Sequence, residues 1–264
     1  MDRDAGGGGN MLSELTLDRV RAAAERIRAH VVRTPVLRVE RAPGCELLLK
    51  AESLQPTGAF KLRGAINKIS VLGPECSGVV AHSSGNHAQA VARAARLFGL
   101  SAVVVMPSDA AELKRRRTQA DGAEVIQVGS DSEERAQRAR EIAHERGLAL
   151  VEPFDDVDVA AGQGTSALEL LDQVGGELDR FYAPIGGGGL MAGCSVVVKA
   201  LCGSAEIVGC EPEDGDDTRL SLEQGKRVTI AAPRTIADGL RARRPGALTW
   251  PVLARHVGRI ERVS

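Results

Sequence analysis

Residues 52–65 read Glu52-Ser-Leu-Gln-Pro-Thr-Gly-Ala-Phe-Lys-Leu-Arg-Gly-Ala65. The rest of the chain is organised around this segment. Pro56 and Gly58 predict a loop in its first part, because neither residue is favoured inside a helix. Thr57 can cap the helix that follows, which is predicted to run to about residue 72. The segment therefore predicts a loop that leads directly into a helix.

Lys61 falls in the first turn of this predicted helix. The helix dipole lowers the pKa of an amine at that position, and burial lowers it further. An amine that is neutral near pH 7 can attack an aldehyde, so Lys61 is a candidate Schiff-base lysine. Phe60 beside it offers a flat apolar face for an aromatic cofactor. The alternative interpretation is a solvated lysine on an amphipathic helix.

The composition excludes several classes of function. The chain has 264 residues, which is enough for one large or two modest domains, and its net charge is −1. One Trp, one Tyr and four Phe are too few for the stacking platforms on which most single-stranded nucleic-acid binding depends. The near-zero net charge also gives no indication of a polyanionic partner.

The cysteines and the termini predict a cytoplasmic protein. The five cysteines form no CxxC pair and no metal-finger spacing, which is typical of thiols in a reducing compartment: Cys45, Cys76, Cys194, Cys202 and Cys210. No apolar run is long enough to cross a membrane. Residues 1–10 are charged and then glycine-rich, which predicts a flexible tail rather than a signal peptide.

Strand and helix patterns alternate along the middle of the chain. Largely apolar strands are predicted at 78–81, 102–106, 124–128 and 148–151, and helices at 88–98, 110–120 and 132–146. This alternation predicts parallel strands that are buried on both faces, in a compact α/β unit over residues 77–155. The basic run 114–117 within the second of these helices is interpreted as a solvated helix face.

The remaining segments predict a second α/β layer. A helix is predicted at 16–30, short buried strands at 36–37 and 47–49, and then helices at 164–174 and 190–202 with strands at 181–184 and 206–210. The N-terminal strands are expected to share a sheet with the later ones.

Four consecutive glycines, Gly186, Gly187, Gly188 and Gly189, lie between a predicted strand and a predicted helix. Their backbone N–H groups can converge on an anion at the helix N-terminus, where the dipole adds attraction. The segment matches neither GxGxxG nor a Walker loop, so a phosphate-bearing cofactor other than a dinucleotide or ATP is favoured. A flexible connector is the alternative.

The segment Ser83-Ser-Gly-Asn-His87 follows a predicted strand at the edge where open α/β sheets bind ligands. Two hydroxyls, an amide and a helix N-terminus suit a carboxylate. A hydrolase is disfavoured, because the GxSxG nucleophile elbow is absent and no third catalytic partner is found.

Taken together, TGAFKLRGA, SSGNHAQA, AGQGT at 161–165, GGGG and TIADG at 235–239 resemble the threonine/serine dehydratase and serine racemase family. The resemblance extends from about residue 17 to the end of the chain. It implies the α/β fold-type II architecture of pyridoxal-phosphate enzymes, which is tryptophan synthase β-like. In that architecture two open twisted α/β domains hold the cofactor in the cleft between them. The large domain would comprise residues 1–76 and 156–264, and the small domain residues 77–155.

The resemblance also implies roles for particular residues. Lys61 would carry pyridoxal phosphate as a Schiff base and, once displaced, take the α-proton of the substrate. The other cofactor contacts would come from Phe60, Asn86, Gly186, Gly187, Gly188, Gly189 and Gly239. The substrate carboxylate would be held by Ser83, Ser84, Asn86 and His87.

Two further positions bear on the choice of reaction. Ser84 corresponds to the serine that acts as acid and base on the opposite face in racemases of this family, so its presence permits racemisation without proving it. Some relatives place an arginine near the substrate carboxylate at the position of Arg135, although a surface helix arginine is the favoured interpretation.

The acidic segment 211–217 is a candidate cation loop. Its carboxylates follow a predicted strand and suit a hard divalent cation that prefers oxygen ligands. The resemblance implies Glu211, the carbonyl of Gly215 and Asp217 as ligands for Mg²⁺ or Ca²⁺, which are preferred because no His or Cys is needed. A solvated acidic turn is the alternative.

Relatives in this family continue beyond the position of Ser264 into a further helix, further strands and a Gly-Gly-Asn turn. The Ser or Cys before that turn faces the pyridine nitrogen, and no such motif follows Glu261 here. The large domain is therefore expected to be short at its C-terminal end. A piece of a longer chain, a partner chain that supplies the rest and a shortened protein stay open as explanations.

The function predicted from this resemblance is a pyridoxal-phosphate ammonia-lyase. It would convert L-threonine, L-serine or a related β-hydroxy amino acid to a 2-oxo acid and ammonia, as a homodimer with no nucleic-acid or membrane partner. An amino-acid racemase of the same fold and a non-catalytic amino-acid-binding protein are the alternatives.

Overall fold

The computed structural model describes residues 11–42, 44–83, 85–129 and 131–264. The N-terminal part contains helices α1 (Met11–Glu14) and α2 (Leu17–Ile27), strands β1 (Val36–Ala42) and β2 (Cys45–Lys50), and helix α3 (Lys61–Ser70). The side chain of Thr16 caps α2 by accepting a hydrogen bond from the backbone N–H of Arg19. The helix predicted at 16–30 is therefore present and ends three residues early.

The predicted cap of α3 is wrong. Phe60 is the N-cap residue, and no side chain caps this helix end. The hydroxyl of Thr57 is buried and has no hydrogen-bond partner in the described part of the chain. The helix begins four residues after Thr57, because Gly58 has φ +75°, a left-handed backbone conformation that an α-helix cannot contain.

The central part forms the predicted parallel sheet. Its strands are β3 (Gly78–His82), β4 (Ser101–Pro107), β5 (Glu124–Val128) and β6 (Ala149–Leu150), in the order β5-β4-β3-β6. The connecting helices are α4 (Asn86–Leu97), α5 (Glu112–Ala120) and α6 (Ser132–Arg146). All three strand pairings are parallel, and β3 and β4 are buried along almost all of their length. The interpretation of residues 77–155 as strands alternating with helices is therefore confirmed in type and order.

The C-terminal part forms a second parallel sheet, with the order β7-β8-β9. Its elements are α7 (Val157–Val174), β7 (Arg180–Pro184), α8 (Gly189–Leu201), β8 (Glu206–Pro212), α9 (Asp217–Gln224), α10 (Trp250–His256) and β9 (Arg259–Val263). Helix α7 begins seven residues before its predicted start, because Asp156 caps it through the N–H groups of Asp158 and Val159. Sequence patterns did not predict α9, α10 or β9.

The N-terminal strands depart from expectation in two ways. They pair only with each other, as an antiparallel hairpin, and share no sheet with β7, β8 or β9 in the described part of the chain. They are also not buried, since Leu37 is 50% exposed and its cross-strand partner Leu49 is 43% exposed. The apolar pattern identified the strands correctly, but it does not record what packs against them.

The two parallel sheets have separate hydrophobic cores. One core lies around β7, β8, α2, α7 and α8; the sheet of β3 and β4 has one core with α3 and α4 and a smaller one on its other side with α6. Among the described residues, none of the helices is long and apolar enough to cross a membrane. Cys76, Cys194, Cys202 and Cys210 are free thiols, of which Cys194 and Cys202 are buried.

Candidate active site

Lys61 is the first residue of α3, and its amine points into the protein and not into solvent. Its Nζ donates a hydrogen bond to the carbonyl oxygen of Pro153 at 2.5 Å, and it lies 5.3 Å from the centroid of the Phe60 ring. Burial of the amine lowers the pKa of Lys61 to about 8. Near neutral pH a useful fraction of this amine is therefore unprotonated and nucleophilic.

A buried ion network holds the first turn of α3 in place. The guanidinium of Arg63, two residues after Lys61, is completely buried. It donates to both oxygens of Glu52, at 2.7 and 2.8 Å, and to both oxygens of Glu169 on α7, at 2.7 and 2.8 Å. Lys50 donates to Glu169 as well, at 2.7 Å. Bidentate contacts on two sides fix the position of the helix end that carries Lys61.

Helices α3 and α7 approach each other closely through glycine. A Cβ on Gly64 would lie 2.7 Å from the carbonyl oxygen of Val159, and one on Gly162 would lie 2.6 Å from that of Arg63. Distances this short exclude a side chain at either position. Gly162 of the AGQGT segment therefore serves the packing of α7 on α3, whereas Gly164 of the same segment lies against Gly193 of α8.

His87 is buried beside the same region. Its Nε2 lies 2.9 Å from the carbonyl oxygen of Val151 and donates to it, while its Nδ1 is buried without a partner in the described part of the chain. Burial, together with the nearby charge of Lys61, lowers the pKa of His87 to about 3. The ring is therefore neutral at pH 7, and any contact of His87 with a carboxylate has to come from its backbone N–H in the first turn of α4.

The loop between β3 and α4 carries the other residues that are predicted to bind the carboxylate of the substrate. The hydroxyl of Ser83 accepts a hydrogen bond from the backbone N–H of Gly85 at 3.1 Å. Asn86 begins α4, whose N-cap Gly85 supplies no side chain. The first N–H groups of α4 thus lie next to the Ser83 and Asn86 side chains. Ser84 lies outside the described residues, so its assigned roles stay predictions.

The four glycines form the turn from β7 into α8. Gly188 is the N-cap with φ +97°, and no side chain caps α8. A Cβ on Gly187 would lie 2.3 Å from the ring of Phe154, and one on Gly186 would lie 3.0 Å from the carbonyl oxygen of Gly239. The loop has no room for side chains, so what it can offer a ligand is backbone N–H groups at a helix N-terminus. Gly239, one of the predicted cofactor contacts, lies directly against this turn.

A second loop holds the glycine turn from behind. The carbonyl oxygen of Gly187 accepts hydrogen bonds from the Thr249 hydroxyl at 2.7 Å and from the Gly246 N–H at 3.2 Å. The Asp155 carboxylate in turn accepts the N–H groups of residues 247, 248 and 249, at 2.8, 2.8 and 3.1 Å. With the Gly187 carbonyl turned toward this loop, the glycine N–H groups are left for an anion.

The dipeptide Pro153–Phe154 joins the two halves of the site. Its proline carbonyl accepts from the Lys61 amine, and its phenylalanine ring packs on Gly187. The reactive amine and the anion-binding turn therefore lie on either side of one short segment. Sequence analysis missed this segment; the available signal was that Pro153 and Phe154 follow a strand at the edge of the sheet where ligands bind.

The glycine turn supports one prediction here. Replacement of Gly187 by alanine places a methyl group into the Phe154 ring, so the turn or the ring has to shift. We expect the affinity for pyridoxal phosphate to fall roughly tenfold or more, as for other overpacked sites. Titration of apoprotein with the cofactor, followed by fluorescence, measures this. The control is Gly203→Ala, because the nearest atom to its Cβ is 3.4 Å away. Equal affinities for the two variants would contradict the prediction.

The candidate cation loop contains one buried carboxylate oxygen that accepts no hydrogen bond from the described residues. Glu211 accepts the backbone N–H groups of Thr218 and Arg219, both at 3.0 Å, at the start of α9. Asp217 Oδ2 is buried and lacks a hydrogen bond in the described part of the chain. Burial and the neighbouring Glu211 raise the pKa of Asp217 to about 8, and burial also raises the pKa of Glu211. A cation would relieve both charges.

The predicted ligands at this loop are two carboxylates and one backbone carbonyl, and the neighbouring Asp216 carboxylate accepts from Arg219. Among the described residues, no group of three or more His, Cys, Asp or Glu side chains is arranged to hold a metal ion. Arg135 lies on α6 and is partly buried; burial lowers its pKa, and Asp109 and Asp131 are nearby charges.

The sequence pattern of the family described as "Pyridoxal-phosphate dependent enzyme" matches residues 27–264. The chain belongs to this family. The match includes the whole site described above, with its amine, its glycine turn and its carboxylate loop. The family relationship implies pyridoxal phosphate as the cofactor, and the arrangement of Lys61 and the glycine turn fits that molecule.

Individual relatives agree with this assignment. The chain is 43% identical over 247 residues to an L-threo-3-hydroxyaspartate ammonia-lyase of Saccharomyces cerevisiae, covering 92% of this chain and 76% of the relative. It is 39% identical over 254 residues to a serine racemase of Schizosaccharomyces pombe, covering 94% and 78%. The crystal structure of a threonine deaminase from T.th. superimposes with a TM-score of 0.89 and 46% identity, covering 94% and 82%. The predicted α/β fold-type II class is thereby confirmed.

Proposed function

We propose that this pyridoxal-phosphate enzyme is an ammonia-lyase that acts on L-threonine, L-serine or a related β-hydroxy amino acid. The observation that carries the proposal is the Lys61 amine, buried beside Phe60 and separated from the glycine turn only by Pro153 and Phe154. An amine with a lowered pKa near a glycine turn that can offer backbone N–H groups to an anion is the pairing that an aldehyde-bearing phosphate cofactor needs.

Residues for the aldehyde, the phosphate and the ring faces of the cofactor are present on this chain, whereas the usual partner of its pyridine nitrogen is not among them. Lys61 would hold its aldehyde carbon, and the N–H groups of Gly186–Gly189 its phosphate. Asn86, Phe60 and Gly239 would border its ring. When bound, pyridoxal phosphate withdraws electrons from the substrate's Cα–H bond and so makes that proton acidic.

The chain's own groups then act on the substrate. The side chains of Ser83 and Asn86 and the first N–H groups of α4 would hold the carboxylate and orient the Cα–H bond. The Lys61 amine, once it is free, would take the α-proton at its Nζ, for which a pKa of about 8 is suited. The β-hydroxyl would leave as water with a proton from a general acid, and water would hydrolyse the resulting enamine to a 2-oxo acid and ammonia.

Relatives support elimination as the reaction. The yeast relative is named an ammonia-lyase for L-threo-3-hydroxyaspartate, and the superimposed structure is titled threonine deaminase. Racemisation is the second candidate, because the Schizosaccharomyces pombe relative is named a serine racemase and Ser84 is present in the sequence.

The test is an incubation of cofactor-loaded protein with L-threonine, L-serine and L-threo-3-hydroxyaspartate. Release of 2-oxo acid with at least one of them is the expected result. Chiral analysis of the remaining amino acid detects racemisation in the same samples. Binding of an amino acid without a 2-oxo acid or a D-enantiomer would leave only the non-catalytic alternative and would overturn the proposal.

We also propose that Glu211, the Gly215 carbonyl and Asp217 bind Mg²⁺ or Ca²⁺. The unpartnered oxygen of Asp217 supports this. Saturating cation is expected to raise the midpoint of thermal unfolding by about 5 °C at constant ionic strength. Asp217→Asn should remove that rise, whereas Asp214→Asn, an exposed carboxylate in the same turn, should keep it. A rise retained in Asp217→Asn would contradict the assignment.

The domain boundaries at 76/77 and 155/156, the homodimer and the cytoplasmic location stay predictions. The separate hydrophobic cores around the two sheets support a division into two parts, but α3 packs in the core of β3 and β4 and so does not support a boundary at 76/77.

A further inference from the structure

The basic run on α5 contains one lysine that is not on a solvated face. Lys114 has a side chain that is only 25% exposed, and its ammonium forms a hydrogen-bonded ion pair with Asp238. The interpretation of residues 114–117 as a solvated helix face is therefore wrong for Lys114. In the folded chain, Lys114 lies where α5 contacts the loop around Asp238, which belongs to the C-terminal part of the chain.

The side chain of Lys114 lies against the loop of residues 83–87, which is predicted to bind the substrate carboxylate. A Cβ on Gly85 would lie 2.7 Å from Cδ and 2.8 Å from Nζ of Lys114. Gly85 connects Ser83, whose hydroxyl accepts its N–H, to Asn86 at the start of α4. Any displacement of the lysine therefore bears directly on the backbone that carries the proposed carboxylate ligands.

The partner carboxylate belongs to the wall of the cofactor site. Asp238 opens the 3₁₀ turn Asp238–Leu240, and the next residue, Gly239, lies against Gly186 of the glycine turn. The ion pair thus ties the carboxylate loop of one sheet to the cofactor wall of the other. A second charge contact spans the same boundary, since Arg243 lies close enough to Asp131 to lower the pKa of that carboxyl, after the larger effect of backbone N–H groups.

We propose that Lys114 and Asp238 are a positioning pair for substrate. Their ion pair holds the 83–87 loop against the 235–240 loop and thereby sets how tightly the carboxylate of an amino acid is bound. Neither side chain takes part in the chemical steps. Only the substrate measurement below depends on the proposed function.

The first measurement uses apoprotein and needs no activity. Hydrogen–deuterium exchange is followed in a peptide that covers residues 83–90, in wild type, Lys114→Met and Asp238→Asn. We expect exchange to be about threefold faster or more in both variants, because the loop loses its anchor. The control is Arg146→Met. This variant breaks a partly exposed ion pair with Glu124 that joins α6 to β5 and does not reach the C-terminal sheet. Unchanged exchange in Lys114→Met would overturn the proposal.

The second measurement is the kinetics with the best amino acid found above. Lys114→Met should raise KM about three- to tenfold and leave kcat within about twofold, the pattern of lost binding. The charge-swapped double variant, Lys114→Asp with Asp238→Lys, should recover most of the affinity and the slow exchange. A swap no better than either single variant would show that the ion pair is not the cause.

A third variant separates positioning from stability. Gly85→Ala displaces the Lys114 side chain without removing a charge, so it should reproduce the faster exchange of Lys114→Met. The double variant Gly85→Ala/Lys114→Met should exchange no faster than either single variant, because both changes break the same contact. Additive effects would contradict the proposal. If the wild type turns over no amino acid while the exchange results hold, the proposed function fails, and the anchoring of the 83–87 loop by the ion pair stands without its effect on KM.

Discussion

Replacement of Lys61 by alanine is expected to abolish both cofactor attachment and catalysis. The variant lacks the amine that would hold the cofactor and take the α-proton. We expect kcat to fall by at least about 10³-fold and the visible absorbance of lysine-bound pyridoxal phosphate to disappear. Borohydride reduction followed by peptide mapping should label residue 61 in wild type. Lys226→Ala, an exposed lysine far along the chain, is the control and should keep both properties.

Retention of the visible absorbance in Lys61→Ala, or borohydride labelling at another lysine, would refute the assignment. A fall in activity with intact absorbance would mean that Lys61 acts only in proton transfer.

The low pKa of Lys61 also has a consequence for stability that needs no cofactor. The amine has a pKa of about 8 in the folded chain and 10.5 when unfolded, so between these values the unfolded chain binds more protons. The stability of wild-type apoprotein should therefore rise with pH across this window. Lys61→Met should lack the rise and should be more stable than wild type at pH 7 by up to roughly 3 kcal/mol. Urea unfolding at pH 7 and at pH 10 measures the difference, and a pH-independent difference would contradict it.

The second large effect is expected at Arg63, two residues after Lys61 in α3. Arg63→Met leaves the carboxylates of Glu52 and Glu169 largely buried, with Lys50 as the nearest remaining cation. Loss of one partner from a buried ion network is expected to reduce the free energy of unfolding by about 3–5 kcal/mol. Urea unfolding of apoprotein measures this. Because the network holds the end of α3, the remaining folded protein should also bind cofactor more weakly.

The matched control is Arg38→Met, which breaks an exposed pair with Glu46 on the β1–β2 hairpin. Exposed pairs contribute less than about 1 kcal/mol, so this variant should unfold close to wild type. An Arg63→Met variant as stable as Arg38→Met would show that the buried network contributes nothing to folding.

Local patterns in the sequence determined the elements and the chemistry-bearing residues of this protein. Apolar runs and helix signals placed β3, β4, β5, α4 and α6 within a few residues, because these elements depend on side chains that are close together along the chain. The same holds for Lys61 at a helix start and for the glycine turn before α8. The motif set was specific enough to indicate the family and its cofactor.

Tertiary structure alone decided how these parts meet. Pro153 and Phe154 join the amine to the glycine turn, and Asp155 holds the loop behind it, through contacts between residues up to 94 positions apart in the chain. The exposure of the β1–β2 hairpin and the pairing of Lys114 with Asp238 likewise depend on neighbours distant in sequence. Periodicity records which side of an element is apolar, but it carries no information about which distant segment packs there, since that is set by the packing of the whole chain.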